Sequence, residues 1–307
     1  MHGPVKPKMG KKPAPRKPAL QPSEAIGPAV RAIAEHVLTG ARAVVTDPEL
    51  SSQDAVHEFR RAMKEWRALM RLLAPFIPDA ERWRVEARDH ARSLAHARDG
   101  QAALNAFDDV LKRGLVVSER TQETMRDRIE TLRGSEERAV LTPDLQTTII
   151  TWIDAASAAV EAWSLDPFDF SAIAEQLADG YRRARRCMPP DWTLASDADL
   201  HKFRQRVVDH RYQMEIVEPL WPRFGKMWTE EAERLRDRLG KCQDLAVLER
   251  FTGPHQPLAH WRSRLTPACA ERRLQLTRRA ARIARRLFAE RPKAFRHRLE
   301  RLWEDGR

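Results

Sequence analysis

Apolar residues recur every three or four positions through most of this chain, which is the spacing of helices that bury one face. Residues 51–73 show it most clearly, because Val56, Phe59, Met63 and Trp66 fall on one side of a helix. Alternation with a period of two, which is typical of strands, is scarce, and the 307 residues include only 12 Gly. The pattern therefore predicts an all-α fold.

Capping and helix-breaking residues divide this pattern into successive helices. The predicted helices run from Ser23 to about Val45, from Ser51 to Pro75, from Asp79 past Phe107, over about 118–133, from Thr142 to Trp163, from Asp169 to Met188, over about 197–218, through Trp228 and Leu245, and from Pro267 to about Glu290. Helix therefore follows helix along the chain.

Two of these helices repeat one signature. Residues 56–60 read VHEFR and residues 200–204 read LHKFR, and a further Arg lies ten residues after each His. An offset of 144 residues relates His57 to His201, and an offset of 145 relates segment 94–99 to segment 239–244. We interpret this as an internal duplication, with a first helical bundle over about 23–165 and a second over about 168–303.

The first of the repeated helices carries a cationic stripe. At about 3.6 residues per turn, one side presents His57, Arg60, Lys64, Arg67 and Arg71. Cations at this spacing recur about every 5 Å, so one stripe can meet successive phosphates. A duplicated stripe predicts a two-lobed site for a long, negatively charged ligand.

The charge of the chain is unevenly distributed. Its formal net charge is +11, and the first 22 residues contribute six cations and no acid. This Pro- and Lys-rich segment has few large apolar residues, so we predict a disordered basic tail over residues 1–22. The remainder holds 49 Lys and Arg against 44 Asp and Glu. A polyanion site there requires segregation of charge.

Several classes of protein are disfavoured by the sequence. No apolar run is long enough for a secretory signal or a transmembrane helix, which predicts a soluble, cytoplasmic protein with no membrane partner. The three cysteines, Cys187, Cys242 and Cys269, are widely spaced, which argues against a disulfide framework and a zinc site. We expect neither a metal nor a cofactor.

The two His helices, the LxxxRD segment at residues 94–99 and the basic run GYRRARR at residues 180–186 resemble the CHAD family, the conserved histidine α-helical domain. The resemblance covers about residues 24–300 of the domain that we place at 23–307. It implies two four-helix bundles related by a pseudo-twofold axis, with basic helices facing a shared groove or pore. It also implies binding of inorganic polyphosphate and association with polyphosphate granules.

Arginine suits such a ligand, because its planar guanidinium meets two phosphoryl oxygens at once and stays charged. On the two stripes and the basic run, the expected polyphosphate-binding residues are His57, Arg60, Lys64, Arg67, Arg71, Arg182, Arg186, His201, Arg204 and Arg211. The second copy departs from the pattern, because Val208 stands where the first has Lys64 and Gln243 stands where an Arg is expected. The first lobe is therefore expected to dominate binding.

Some of these residues have a structural alternative. Each motif His either donates a hydrogen bond to phosphate or is a partly buried residue that bonds the neighbouring helix. Because the His is duplicated in the same Arg context, we give the two interpretations equal weight. Arg98 and Asp99 are interpreted as an ion pair, and the arginines of segment 272–286 as a solvated exterior. The tryptophans are expected in the core.

Three functions from different classes remain open. The leading hypothesis is a non-enzymatic polyphosphate-binding protein. The first alternative is a nucleic-acid-binding or nucleoid-associated protein, whose basic tail supplies weak, non-specific contacts. The second is an enzyme of polyphosphate or triphosphate metabolism or an accessory to one, although the sequence has no Walker loop. Oligomeric state and preferred chain length are left open.

Overall fold

Side-chain caps set the starts of four helices. Ser51, Thr142, Asp169 and Ser196 each accept a hydrogen bond from a backbone amide in the first turn, and Ser196 forms a reciprocal capping box with Asp199. These bonds satisfy amides that have no partner within the helix. All four starts lie within one residue of the positions predicted from the sequence.

The computed structural model describes residues 17–94, 99–135, 141–165 and 169–307. Within these ranges it has eleven α-helices and no strand, which confirms the all-α fold. The helices are α1 (Ile26–Thr46), α2 (Ser52–Leu73), α3 (Ala80–Ser93), α4 (Asp99–Leu111), α5 (Glu119–Ser135), α6 (Pro143–Glu161), α7 (Phe170–Arg186), α8 (Asp197–Ile216), α9 (Pro222–Arg250), α10 (Arg262–Leu287) and α11 (Pro292–Asp305). None of them has the length and apolar character that crossing a bilayer requires.

The helices of the two halves pack in the same order. In the first lobe, α1–α6, helix α1 packs on α2 and α6, α2 on α3, and α4 on α5. In the second lobe, α7–α11, helix α7 packs on α8 and α11, α8 on α9, and α9 on α10. The long α9 thus takes the place of α3 and α4 together.

Aromatic residues form much of each core. Trp66 of α2 is fully buried, with its ring centroid 6.3 Å from those of Trp152 and Trp163. In the second lobe Tyr181 stacks on Phe295 with centroids 4.4 Å apart. Most tryptophans therefore occupy the core, as expected from the sequence, whereas Trp221 is 49% exposed and Trp261 is partly buried.

The lobes join where α2 crosses α8 and where α4 packs on α9. At the first contact the buried Gln213 amide donates to the Ala68 carbonyl oxygen at 3.3 Å. A Cβ at Gly180 would lie 2.5 Å from Gln213 Oε1, so a glycine lets α7 approach α8 closely. Because α8 packs against α2, α7 and α9, it buries polar as well as apolar residues.

Several predicted boundaries are wrong. One long third helix was expected from Asp79, but α3 ends at Ser93 and α4 begins at Asp99, and residues 95–98 of the repeated segment lie outside the described residues. Ser23 caps nothing, since α1 follows Ala25. Pro267 lies inside α10, which begins at Arg262, because one missing amide is tolerated near a helix start.

The chain is also packed earlier than predicted. Residues 1–16 lie outside the described part of the chain, but Leu20 is fully buried and its amide donates to the Ile216 carbonyl oxygen at 2.8 Å. The basic tail was expected to be disordered through residue 22, and this boundary is wrong for residues 17–22. Leu20 anchors the segment. One buried residue hardly changes the average composition of residues 1–22, from which disorder was predicted.

Candidate polyanion-binding site

Arginines of the first lobe converge on a carboxylate of the second lobe. Arg67 and Arg71 lie one turn apart on α2, and Arg84 and Arg88 lie one turn apart on α3. We call these four residues the first-lobe cluster. The positive charges of three of them, all but Arg88, lower the pKa of Asp209 on α8, and the charge of Arg88 lowers the pKa of Arg67.

Asp209 is the shared counter-charge of this site. Its Oδ2 lies 3.1 Å from Arg71 Nε and 3.6 Å from Arg206 Nη1. Burial raises the pKa of Asp209, although the charges of Arg71, Arg206, Arg67 and Arg84 oppose the shift. We call Asp209, Arg206 and the first-lobe cluster together the interlobe site.

The positive charge of the cluster is only partly balanced. Arg84 Nε donates to Glu81 Oε2 at 2.6 Å, and Arg88 bonds both oxygens of Asp89. Arg67 has a buried Nε with no hydrogen-bond partner among the described residues. An anion in front of Arg67 would therefore gain a donor that is already desolvated and held in place.

The pKa of Arg67 reflects the same imbalance. Burial lowers it, and the positive charges of Arg71, Arg84 and Arg88 lower it further, against the attraction of Asp209. Burial likewise lowers the pKa of Arg71, with Arg84 and Arg206 adding to the shift. A bound anion would relieve this repulsion.

The equivalent positions of the second lobe carry acids. With the offsets of 144 and 145, Arg67, Arg71, Arg84 and Arg88 correspond to Arg211, Glu215, Thr229 and Glu233. Arg211 lies 2.9 Å from Glu215 through Nη2 and 2.9 Å from Glu233 through Nε. The second-lobe guanidinium is thus already neutralised within its own lobe.

Three further arginines with buried guanidinium nitrogens lie on α8 and α9. Arg204, Arg236 and Arg238 each have a buried Nε without a hydrogen-bond partner in the part of the chain described. Burial lowers the pKa of Arg204, and Arg236 lowers it further, while Asp244 is the strongest opposing charge. Carboxylates and guanidinium groups thus both act on Arg204.

The motif histidines are exposed at the starts of α2 and α8. The His201 Nε2 lies 2.7 Å from the amide nitrogen of Gln205, and its Nδ1 contacts the amide nitrogen of Gln243 on α9. Gln243 is the residue that replaces an expected Arg. Whether His57 and His201 also bind a ligand stays a prediction.

The remaining predicted residues lie on α2 and α7. Arg60 and Lys64 are half-buried on α2, about two turns and one turn before Arg67, respectively. Arg182 and Arg186 are exposed on α7, and Arg182 pairs with Asp179 at 2.6 Å. Neither lines the small cavity beside Arg71 and Asp209.

The structure adds residues that the motif search missed. Arg84 and Arg88 belong to the cluster, and Arg183, not Arg182 or Arg186, lines the small cavity with Arg71, Arg206 and Asp209. Comparing the two copies position by position beyond the His helices would have shown Arg88 opposite Glu233. The contact of Asp209 with the other lobe leaves no signal in the sequence.

Other sequence expectations concern residues outside the interlobe site. Arg98 lies outside the described residues, while Asp99 Oδ2 accepts from Arg250 Nη2 at 3.0 Å. The three cysteines are free. Within the described ranges, no three His, Cys, Asp or Glu side chains are grouped so as to hold a metal ion.

The chain resembles known proteins in both sequence and fold. The family model of the CHAD domain matches residues 28–253. The crystal structure of the CHAD domain from the plant Ricinus communis aligns with a TM-score of 0.54 and 20% sequence identity, over 93% of this chain and 97% of that chain. At that identity the likeness shows the fold, and no curated protein matches this sequence. Because the family match spans well over half of its residues, this chain belongs to the CHAD domain family.

Proposed function

We propose that this protein binds inorganic polyphosphate at the interlobe site, without a catalytic step, and associates with polyphosphate granules. The family is associated in general with the binding of polyphosphate and triphosphate. The observation that carries the proposal is Arg67, whose buried Nε has no hydrogen-bond partner among the described residues and whose pKa is lowered by burial and by the charges of Arg71, Arg84 and Arg88.

The chemistry of the site fits a chain of phosphates. Polyphosphate carries a charge on every unit and has no rings or bases to recognise, so its binding depends on Coulomb attraction and hydrogen bonds to oxygen. Guanidinium groups supply both, in a geometry that matches two oxygens. They provide neither a nucleophile nor a general base, which supports binding without turnover.

Asp209 gives the arginines of the site a counter-ion. Its carboxylate lies between Arg71 and Arg206, where it offsets part of their mutual repulsion. A phosphate at Arg67 would add a second anion to the same group of arginines. The ligand would thus bind beside Asp209, and Arg67, Arg84 and Arg88 would make the contacts.

The proposal is tested by competition. We expect the full-length protein to keep long-chain polyphosphate when duplex DNA is added at about tenfold excess of phosphate, because the site holds a flexible chain between two lobes and offers DNA only general attraction. Fluorescence anisotropy of labelled polyphosphate measures the displacement. Half-displacement at equal phosphate concentration would support the nucleic-acid alternative instead.

Two controls accompany the competition experiment: one removes residues 1–16, and the other checks for turnover of polyphosphate. A shorter protein that starts at Lys17 keeps Leu20 and removes five of the six cations among the first 22 residues. It should retain polyphosphate binding and lose DNA binding. Incubation of the full-length protein with polyphosphate and magnesium should leave the chain length unchanged, and shortening would contradict the non-enzymatic proposal.

A further inference from the structure

One face of α10 carries a row of exposed arginines. At 100° per residue, all of them fall within a third of the helix circumference. They are Arg278, Arg279, Arg282, Arg285 and Arg286. The row extends about 12 Å along the axis, from a rise of about 1.5 Å per residue.

These five arginines have no ion pair with any described carboxylate, unlike several other exposed arginines of the protein. Arg61 pairs with Glu58, Arg82 with Asp79, and Arg301 with Glu304, each on its own helix. The corresponding helix of the first lobe, α5, interleaves its arginines with acids, in the sequence ERTQETMRDRIETLRGS. The row is therefore specific to the second lobe.

Packing of the fold does not require the row. The buried side of α10, with Leu276, Ala280, Ala284 and Leu287, lies roughly opposite and packs on α9. Like charges three and four residues apart, as at Arg278, Arg282 and Arg285, destabilise a helix. An exposed face that keeps such repulsion without any pairing acid is suited to an external polyanion.

The row is also separate from the interlobe site. The interlobe site lies on α2, α3 and α8, whereas α10 packs mainly on α9 with its apolar side. The arginines thus point away from α9, towards the outside of the second lobe. A ligand in the interlobe site leaves them accessible.

We propose that this arginine row is a second binding site for inorganic polyphosphate. The inference rests on the proposed function and adds to it a second contact for long chains. The row contains no aromatic side chain on which bases could stack, which disfavours single-stranded nucleic acid. A flexible chain with a charge on every unit can follow a straight row of guanidinium groups without matching any fixed groove.

Two sites on one protein make binding depend on chain length. A chain held in the interlobe site brings its free length to the row at high effective concentration, provided that it can pass around α9 and α10, a path of at least about 20 Å. A shorter chain occupies one site alone. A long chain can also connect two protein molecules by binding the arginine row of one and the interlobe site of the other.

The test compares two variants with the same loss of charge. One replaces the row, with Arg278→Gln, Arg282→Gln and Arg285→Gln; the control, with Arg61→Gln, Arg82→Gln and Arg301→Gln, removes three exposed arginines that have ion pairs. Glutamine keeps a high helix propensity, and circular dichroism checks that both variants stay folded. Each is titrated with polyphosphate of about ten units and of several hundred units.

The row variant should bind the short chain within about twofold of wild type and the long chain about tenfold more weakly, while the control stays close to wild type for both. Light scattering from assemblies on the long chain should fall with the row variant alone. Equal effects of the two variants, or an unchanged long-chain affinity of the row variant, would overturn the inference. Loss of duplex DNA binding in place of long-chain binding would show a nucleic-acid surface. If wild type binds neither polyphosphate, the proposed function itself fails.

Discussion

Burial separates the histidines of this protein into two kinds. His57 and His201 mark the repeat in the sequence and are exposed, whereas His210 is 1% exposed and accepts a hydrogen bond from the Trp228 indole nitrogen at 2.9 Å. Burial, with a smaller contribution from Arg298, lowers the pKa of His210 to about 3. Because Nε2 is the acceptor, the neutral ring carries its proton on Nδ1.

This burial predicts a pH dependence of stability. The unfolded chain protonates His210 below its ordinary pKa of about 6.5, while the folded protein keeps it neutral down to about 3. The free energy of unfolding should therefore fall as pH falls through this window, by up to about 1.4 kcal/mol per pH unit from this group, and should gain nothing from it above about 6.5.

Urea denaturation of wild type and His210→Gln at several pH values measures this effect. The variant should be less stable near neutrality but should lose less stability between about pH 6.5 and about pH 4.5. An exposed control, His297→Gln, should keep the wild-type slope. Parallel slopes for wild type and His210→Gln would contradict the burial of a neutral imidazole.

At the residue scale the sequence identified the stripe but not its setting. The spacing of Arg60, Arg67 and Arg71 lies within one helix, so it can be read directly from the sequence of the repeated segment. His210 has no such signal, because its partner Trp228 lies on the next helix. The same holds for Asp209, whose role depends on arginines from the other lobe.

One ion pair ties helices of the two lobes together. Arg272 of α10, 2% exposed, donates from Nε to Asp109 Oδ2 of α4 at 2.6 Å and from Nη2 to Oδ1 at 3.1 Å. Lys241 of α9 lies 3.3 Å from the same carboxylate. Burial would raise the pKa of Asp109, but the hydrogen bond from Arg272 and both positive charges hold it below its usual value.

Removing one partner should leave a buried charge. We expect Asp109→Ala to lower the free energy of unfolding by about 3 kcal/mol or more, because Arg272 loses its counter-ion in the interior. Asp109→Leu combined with Arg272→Met should recover most of this loss. The neighbouring Asp108→Ala removes a partly exposed pair with Arg126 and should cost at most about 1 kcal/mol. Similar losses for Asp108→Ala and Asp109→Ala would contradict this account of the pair.

At the element scale, local signals predicted most helix starts but not helix packing. Caps such as Ser51 and Asp169 act within one turn, so they are visible in the sequence. Whether an apolar run stays in one helix depends on tertiary contacts, so α9 is continuous while α3 and α4 are separate. The bond from α4 to α10 joins residues 163 positions apart, beyond any local pattern.

The two lobes of the whole molecule are related but carry different charges. In the repeat, Glu215 corresponds to Arg71 and Glu65 corresponds to Asp209. The position equivalent to the contact of Arg71 with Asp209 is therefore occupied by two acids. Lys17, from the start of the described chain, lies between them, at 2.6 Å from Glu65 and 2.8 Å from Glu215. An arginine of one copy is thus replaced by a lysine from outside the repeat.

The sequence predicted this inequality from different residues. Val208 opposite Lys64 suggested a weaker second lobe, and the structure adds the acids Glu215 and Glu233 beside Arg211. We therefore propose that the first-lobe cluster holds the phosphates and that its second-lobe counterpart does not, because Arg211 is already paired with carboxylates of its own lobe.

A calorimetric titration with polyphosphate of defined length tests this claim through one matched pair of variants, Arg67→Gln and Arg211→Gln. The two residues are equivalent in the repeat, and each substitution removes one charge. Arg67→Gln should weaken binding about tenfold or more, since a hydrogen bond to a charged group contributes about 1.5–3 kcal/mol, while Arg211→Gln should stay within about threefold. Equal losses, or a larger loss for Arg211→Gln, would contradict a site dominated by the first lobe.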